Sequence, residues 1–548
     1  MFILKSIQDG TSGITGYFSS PNSPIWASLR WIPTRVLVCV MMFTACWTNY
    51  MCRLQMPILA VPMIKGMPAN TTAGVCQSES RFRRAIAWLD PGAHLEDYIL
   101  SERVAAAEEA VDPATHNIRL RRQNAAGQDT RPSGGPIELF NGLPFDWKPQ
   151  IRGQLIAAYS YGNVPGNFLG GVMAVKWGPK KAILWTSIIA ALTSLISPIL
   201  AQCHWIALLL SRIVIGVTGG VTFPACHTLV AQWAPPDEKA RFVWTLLGGS
   251  FGTVFTYPMV AGIAQSMTWE SGWYIPSLLM FIWICFWAVI TYDGPMEHPG
   301  ISDEEREYIL AAQAGTVRRE KPSLKDMPIK EILTSIPFIS LVFCHFGNMF
   351  LLFFYQNSMM LYLTNALGFE LTKGGVAASL PWASRMFFGF FFSWAGDTIK
   401  RKEIVSITVL RKGATVFSHL LPGIFLILVG YVGCRFILAN LFLILALGFN
   451  GAASISNLSN NQDLSPNFAG FLYGMMNTIG SSSGMIISPL VEEIAGKYGN
   501  PIDRWQTLFW IGSGVCIVCM IIFQFGGSGN IQSWNEIRTD QDVEATRI

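Results

Sequence analysis

Residues 206–230, IALLLSRIVIGVTGGVTFPACHTLV, decide how this chain is to be read. At 1.5 Å rise per residue they make a helix of about 37 Å, enough to cross the hydrocarbon layer of a bilayer, and a single charge, Arg212, interrupts them. The rest of the 548-residue chain follows suit: 51% is hydrophobic and only 14% charged, where soluble chains carry about a quarter charged residues. The net charge of +4 is spread along the sequence, which excludes the basic stripe a nucleic-acid partner requires.

Apolar runs of this kind fall at 37–61, 153–175, 182–201, 206–230, 243–266 and 272–292, and again at 337–362, 374–395, 413–432, 436–457, 468–491 and 505–526. They predict an all-α membrane protein of twelve transmembrane helices in two six-helix bundles. The predicted organisation is an N-terminal tail (1–36), a first bundle (37–292) with a long loop at 65–148, a linker (293–336), a second bundle (337–526) and a C-terminal tail (527–548). Within the linker, Ser302-Asp303-Glu304-Glu305 has the capping-box pattern that starts an amphipathic helix. No short apolar core with a small-residue cleavage site precedes the first span, so that span is expected to direct insertion itself.

Lys176, Lys180, Lys181, Lys239, Arg241, Arg318, Arg319, Lys321, Lys400, Arg401 and Lys402 all fall in short loops on one side. The positive-inside rule makes that side, and both termini, cytoplasmic. The 65–148 loop then faces outside or a lumen, where Asn70-Thr71-Thr72 is a glycosylation acceptor. Eleven cysteines show no CxxC and no metal spacing; Cys76, Cys203 and Cys434 are the three near the outer face, with a disulfide among them an open question.

Glycine recurs every fourth residue at Gly162, Gly166 and Gly170, at Gly216 and Gly220, at Gly248 and Gly252, and at Gly480 and Gly484. Without a preceding strand or a following Gly-Lys-Ser/Thr this is a helix-packing signal and not a phosphate loop. The charges inside the spans are more informative: Arg53, Arg212 and Arg385, with no acid at comparable depth. A charge at the centre of a membrane helix costs about 2.5–3.5 kcal/mol or more, and Arg53 and Arg212 lie at similar depth, roughly 12 Å from the outer ends of their spans. Cations without internal counter-ions predict an anion arriving from water, bound between the halves; the bland alternative is an arginine bonded to the carbonyls of a broken helix. His227, His345 and His419 read first as packed histidines, with His227 and His345 as the coupling candidates. No nucleophile with its base and no metal set lies in the spans, so an enzyme is not expected; a non-transporting anion sensor or scaffold remains the rival of another class.

The stretch Gly171-Val-Met-Ala-Val-Lys-Trp-Gly-Pro-Lys-Lys181, with a weaker echo at Gly396-Asp397 through Lys402, resembles the loop motif between helices 2 and 3 of the major facilitator superfamily. Arg212-Ile-Val-Ile-Gly through His227, Trp233-Ala-Pro-Pro236, His298-Pro-Gly-Ile-Ser-Asp-Glu-Glu-Arg306, Arg411-Lys412, Asn461 through Gly470 and Gly474 through Gly480 resemble its anion:cation symporter branch, that of sodium-phosphate cotransporters, sialin and vesicular glutamate transporters. The resemblance implies transport of an inorganic or organic anion, with Arg53 and Arg212 as the substrate arginines of helices 1 and 4. It departs at Ile156, Gly219 and Asn348, which stand where the vesicular glutamate branch has a histidine, a glutamate and an arginine. Arg385 is expected to restore the charge missing at Asn348, which joins Arg53, Arg212 and Arg385 as a substrate-site residue. The expected function is sodium-dependent phosphate or organic-anion cotransport by alternating access, the alternative being proton-coupled or potential-driven organic-anion transport in vesicles or lysosomes. No cofactor is expected beyond Na+ or H+ as coupling ion, the functional unit is expected to be a monomer, and the membrane is either the plasma membrane or that of a vesicle or lysosome.

Overall fold

The computed structural model describes residues 31–65, 142–235, 242, 245, 248–313, 328–465 and 468–535. The expected glycosylation site at Asn70 and the basic residues Lys239, Arg241, Arg318, Arg319 and Lys321 lie outside them. The first six spans are α1 (Thr34–Met63), α2 (Pro149–Trp177), α3 (Pro179–Cys203), α4 (Trp205–Trp233), α5 (Gly248–Ser266) and α6 (Ser271–Ile290). The second six begin with α7 (Ile336–Leu361, continued by a π turn Tyr362–Ala366) and α8 (Leu371–Arg401). Next come α9 (Ile407–Thr415, a π turn Val416–Leu420, then Leu421–Val432) and α10 (Phe436–Asn450, a 3-10 turn Gly451–Ile455, then Asn457–Leu464). The set ends with α11 (Ala469–Ser481 and Ser483–Ile494) and α12 (Ile502–Gly526).

Eight of these spans are long and apolar enough to cross a membrane on composition alone. The other four, α2, α5, α8 and α11, pack most extensively across the two groups, α2 on α11 and α5 on α8, with α1 also meeting α7. Shielded from lipid on that face, they tolerate glycine and polar residues that a lipid-facing helix does not.

The four-residue glycine repeat makes the tightest seam, between α2 and α4. A Cβ on Gly162, Gly166 or Gly216 would collide with the backbone of Ile213, Val217 or Tyr159 respectively, so the helices touch main chain to main chain. Between α2 and α3, Gly178 takes φ +87°, a conformation that favours glycine. There the Asp293 carboxylate caps α3 by accepting from the Lys180 amide at 2.6 Å.

The linker helix Asp303–Gln313 begins as its capping box requires, with the Glu305 amide donating to Ser302 Oγ at 3.2 Å. Glu305 does not return to its own helix. It accepts from the amides of Thr34 (2.8 Å) and Arg35 (3.1 Å), capping α1 and tying the linker to the first bundle.

His298 anchors the same region. Its Nδ1 accepts from Gly300 N at 3.1 Å, its Nε2 meets Ile290 O at 3.2 Å, and its ring stands edge-on to Trp233. Burial pushes its pKa down to about 4 from the ordinary 6.5. Since the unfolded chain then binds the proton more readily, the stability this histidine contributes is present above about 6.5 and lost as pH falls toward 4. His298→Gln is expected to flatten the fall in melting temperature between pH 7 and pH 4.5, measured on purified protein; an unchanged pH profile contradicts the assignment.

Where the 65–148 loop leaves and rejoins the bundle, Lys65 N donates to Phe145 O at 2.9 Å and Phe145 N to Met63 O at 2.7 Å. Cys203 is a free, exposed thiol, so it takes no part in a disulfide. Cys434 is disulfide-bonded.

Candidate functional site

Pro57 sits inside α1 and has no N–H, so the carbonyl four residues back, that of Arg53, loses its helical partner. Arg212 from α4 supplies the replacement: Nη2 donates to Arg53 O at 2.9 Å and Nη1 to Cys52 O at 2.8 Å. The Arg212 side chain is wholly buried, with the Trp273 ring 5.6 Å from its guanidinium carbon. The bland alternative weighed for the intramembrane arginines is thus the geometry found at Arg212.

Arg53 is different. Its guanidinium carbon lies 4.2 Å from the Phe353 ring centre and 5.2 Å from those of Tyr50 and Tyr159. Among the described residues it has no acid and no hydrogen-bond acceptor, and its Nε is buried without a partner. Phe353 belongs to α7, Tyr50 to α1 and Tyr159 to α2, so this cation stands at the seam between the two groups. Three π faces compensate part of its lost hydration but leave the buried Nε–H unused.

Arg385 enters from α8. Its Nε donates to Asn450 Oδ1 at 3.0 Å and its Nη1 to Ser250 Oγ, across the seam on α5, at 3.2 Å. Asn450 Nδ2 donates in turn to Asn348 Oδ1 at 3.0 Å. One amide therefore joins the arginine to the position whose charge the sequence comparison found missing. Tyr50 lies between the two cationic centres, its ring beside Arg53 and its phenol within electrostatic reach of Arg385. Every partner of Arg385 is neutral, and among the described residues none of the three arginines has a carboxylate within salt-bridge distance.

Gly219 stands where the vesicular branch carries an acid, and its space is filled. A Cβ there would collide with the Tyr159 hydroxyl and come within 2.7 Å of Asn49 Oδ1. Those two atoms bond to each other at 3.1 Å, and Asn49 Nδ2 donates to the Gly219 carbonyl at 3.0 Å. A side chain at this position would have to displace that neutral network.

The histidines divide. His345 is wholly buried; Asn457 Nδ2 can only donate to its Nδ1 (2.9 Å), which assigns the neutral form with Nε2 facing Asn477 Oδ1 at 3.4 Å. His419 is equally buried, between Ser418 Oγ and the Cys344 carbonyl, both at 2.8 Å. His227 is exposed, and its ring lies 5.4 Å from that of Tyr473, which also flanks His345 at 6.0 Å.

Sequence reasoning missed Tyr50, Tyr159, Phe353, Asn450 and Ser250, whose residue types are unremarkable in apolar helices. It also missed two buried ion pairs, Arg152 with Glu492 and Arg411 with Asp463. Glu492 lies one position beyond the predicted end of its span, and Arg152 one position before the predicted start of its own.

Two six-helix groups that meet over Arg53 and Arg385, neither of which has an acid beside it among the described residues, have the architecture of a membrane transporter. Residues 135–489 match the pattern of the Major Facilitator Superfamily. The chain belongs to that superfamily, and within it to the anion:cation symporter branch. It is 27% identical to sialin of Homo sapiens over 478 residues, 86% of this chain and 94% of that one. It is 26% identical to a putative inorganic phosphate cotransporter of Drosophila ananassae over 417 residues, 75% of this chain and 86% of the relative. Among solved structures, a D-xylose-proton symporter superposes over 91% of this chain and 99% of its own with a TM-score of 0.56, at 12% identity, which speaks to the fold alone. These relatives are transporters and not enzymes, and the chain is a multi-pass secondary transporter of the superfamily's anion branch.

Proposed function

We propose that the chain carries a small phosphate-like or carboxylate anion, coupled to sodium, by alternating access between its two bundles. The observation that carries this reading is Arg53, a buried guanidinium at the seam with no acid and no hydrogen-bond acceptor among the described residues. An anion arriving from water supplies the missing acceptor, and a planar guanidinium meets two oxygens of a carboxylate or phosphate at once. Arg385, held by Asn450 and Ser250, adds a second positive charge from the other bundle, so that the anion draws the halves together. Arg212 supports the site by holding the carbonyl of Arg53 itself.

Sodium is favoured over a proton because the position of the vesicular branch's acid, Gly219, is closed by Tyr159 and Asn49. Hydroxyl, amide and carbonyl oxygens suffice for a hard monovalent cation. The linker side is read as cytoplasmic with both termini, the membrane as plasma membrane or vesicle, and the monomer as the working unit. Uptake of labelled phosphate, glutamate and sialic acid by proteoliposomes, under imposed sodium, proton and voltage gradients in turn, tests the whole reading. Uptake unaffected by a sodium gradient overturns the coupling, and no flux of any anion overturns transport in favour of a sensor.

Arg385→Ala is expected to raise the Km for the transported anion at least tenfold, the change that about 1.4 kcal/mol of lost charge-assisted hydrogen bonding brings. Uptake matching that of the parent protein, at equal surface amount, ends the role assigned to this residue.

A further inference from the structure

Arg152 in α2 and Glu492 in α11 face each other at the end of the bundles that carries the 65–148 loop. They are 3% and 1% exposed, with Nε to Oε1 at 2.6 Å and Nη2 to Oε2 at 2.7 Å, a two-pronged contact with one charge from each six-helix group. Glycines clear the space around it. A Cβ on Gly153 would stand 2.9 Å from Glu492 Cγ, and one on Gly496 would run into the Glu492 carboxylate while reaching 3.2 Å from Arg152 Nη2. The seat fits this pair on both sides.

The pair is the outermost of a series of contacts that close this end. One turn deeper in α11, the Ser488 carbonyl lies against Gly153 of α2, where a Cβ would stand 3.1 Å from it. Deeper again, Gly484 lies against Ser160 of α2 and Phe353 of α7. On the opposite flank, Thr372 N at the start of α8 donates to Gln265 Oε1 of α5 at 2.7 Å, and Gly375 packs on the Tyr257 carbonyl.

A carrier that admits solute from each side in turn must part these surfaces in every cycle. Most of the contacts are neutral and exchange readily for water. The ion pair differs in kind: its two charges are compensated only by each other in a dry, fitted seat, so removing either partner strands the other there and disfavours the closed end.

We propose that the Arg152–Glu492 pair is the latch that holds the loop end of the transporter closed, and that it separates whenever that end opens. The proposal rests on the chain cycling between two accesses but on no particular anion, so its test uses none.

Spin labels at Gln150→Cys and Glu493→Cys, both exposed positions on the two sides of the pair, read the opening of this end by pulsed dipolar spectroscopy on full-length protein lacking the exposed thiols Cys203 and Cys285. Arg152→Gln or Glu492→Gln is expected to raise the long-distance population relative to the short one on the order of a hundredfold. The exchange Arg152→Glu with Glu492→Arg is expected to restore the short distance. Should the neutralised proteins fail to fold, Arg152→Lys, which keeps the charge and loses the fork, is expected to shift the balance the same way by a smaller factor. A distance distribution identical to the parent's in the single variants overturns the latch, as does an exchanged pair that stays open. Failure of anion uptake with the expected distance shifts overturns the transport reading and leaves the latch standing.

Discussion

Arg53→Met is expected to abolish anion uptake and to raise the melting temperature of the protein in anion-free buffer. Both results follow from one feature, a guanidinium held among Tyr50, Tyr159 and Phe353 with no oxygen to bond. Empty, the site leaves the buried Nε–H without an acceptor and most of the guanidinium among π faces, unfavourable by about 1–3 kcal/mol for the unmet donor. Methionine of similar reach removes that penalty and packs against the same rings. Occupied, the site pairs the charge with the anion, and methionine forfeits the pairing. The parent protein, unlike the variant, is therefore expected to gain stability on adding its anion. Arg53→Lys refines the point: an ammonium keeps the charge and loses the planar fork, so uptake survives with a Km raised about tenfold or more. Full uptake by the lysine variant, or a melting temperature lowered by methionine, contradicts the site as described.

How much of this was legible in the sequence depends on which solvent each residue faces. The helices turned toward lipid announce themselves, because lipid enforces an unbroken apolar run, and the segment at 206–230 is read correctly from composition alone. At α2, α5, α8 and α11 the signal weakens, because one face of each is covered by the other bundle and selection there acts on close approach. The charge census fails at their ends for the same reason. Arg152 and Glu492 fall just outside the apolar runs, where a charge is ordinarily taken to be solvated, yet the two bundles meet over them and bury both. The aromatic lining of Arg53 was illegible for a different reason. Tyr50 and Phe353 are 303 positions apart in sequence, and only the meeting of the bundles makes them neighbours.

The glycine repeats and the capping box, by contrast, are local statements that survive folding. Gly162, Gly166 and Gly216 do what their spacing says, and Ser302 caps its helix as its neighbours predict. The loop motif around Gly178 is legible as a motif but not as a mechanism until Asp293, more than a hundred residues on, is seen capping α3.

Arg212→Met is expected to do the opposite of the same change at Arg53: it lowers the melting temperature in anion-free buffer by several degrees and abolishes uptake. The two arginines are indistinguishable as intramembrane charges and differ in what their donors meet. Arg212 closes the break that Pro57 makes in α1, holding Arg53 O at 2.9 Å and Cys52 O at 2.8 Å. Without it, the buried Arg53 carbonyl, whose helical donor Pro57 removes, loses its partner at about 1–3 kcal/mol. The backbone bearing Arg53 then relaxes, and the guanidinium it presents moves with it, so uptake is lost through position. Two further replacements separate this from direct anion binding. If Arg212 braces α1, Pro57→Ala, which restores a backbone N–H for the Arg53 carbonyl, recovers part of the stability lost in Arg212→Met. If Arg212 instead contributes chiefly its charge to the anion, Pro57→Ala recovers nothing, and Arg212→Lys transports nearly as well as the parent. Melting curves of the four proteins, with and without the transported anion, decide between bracing and binding.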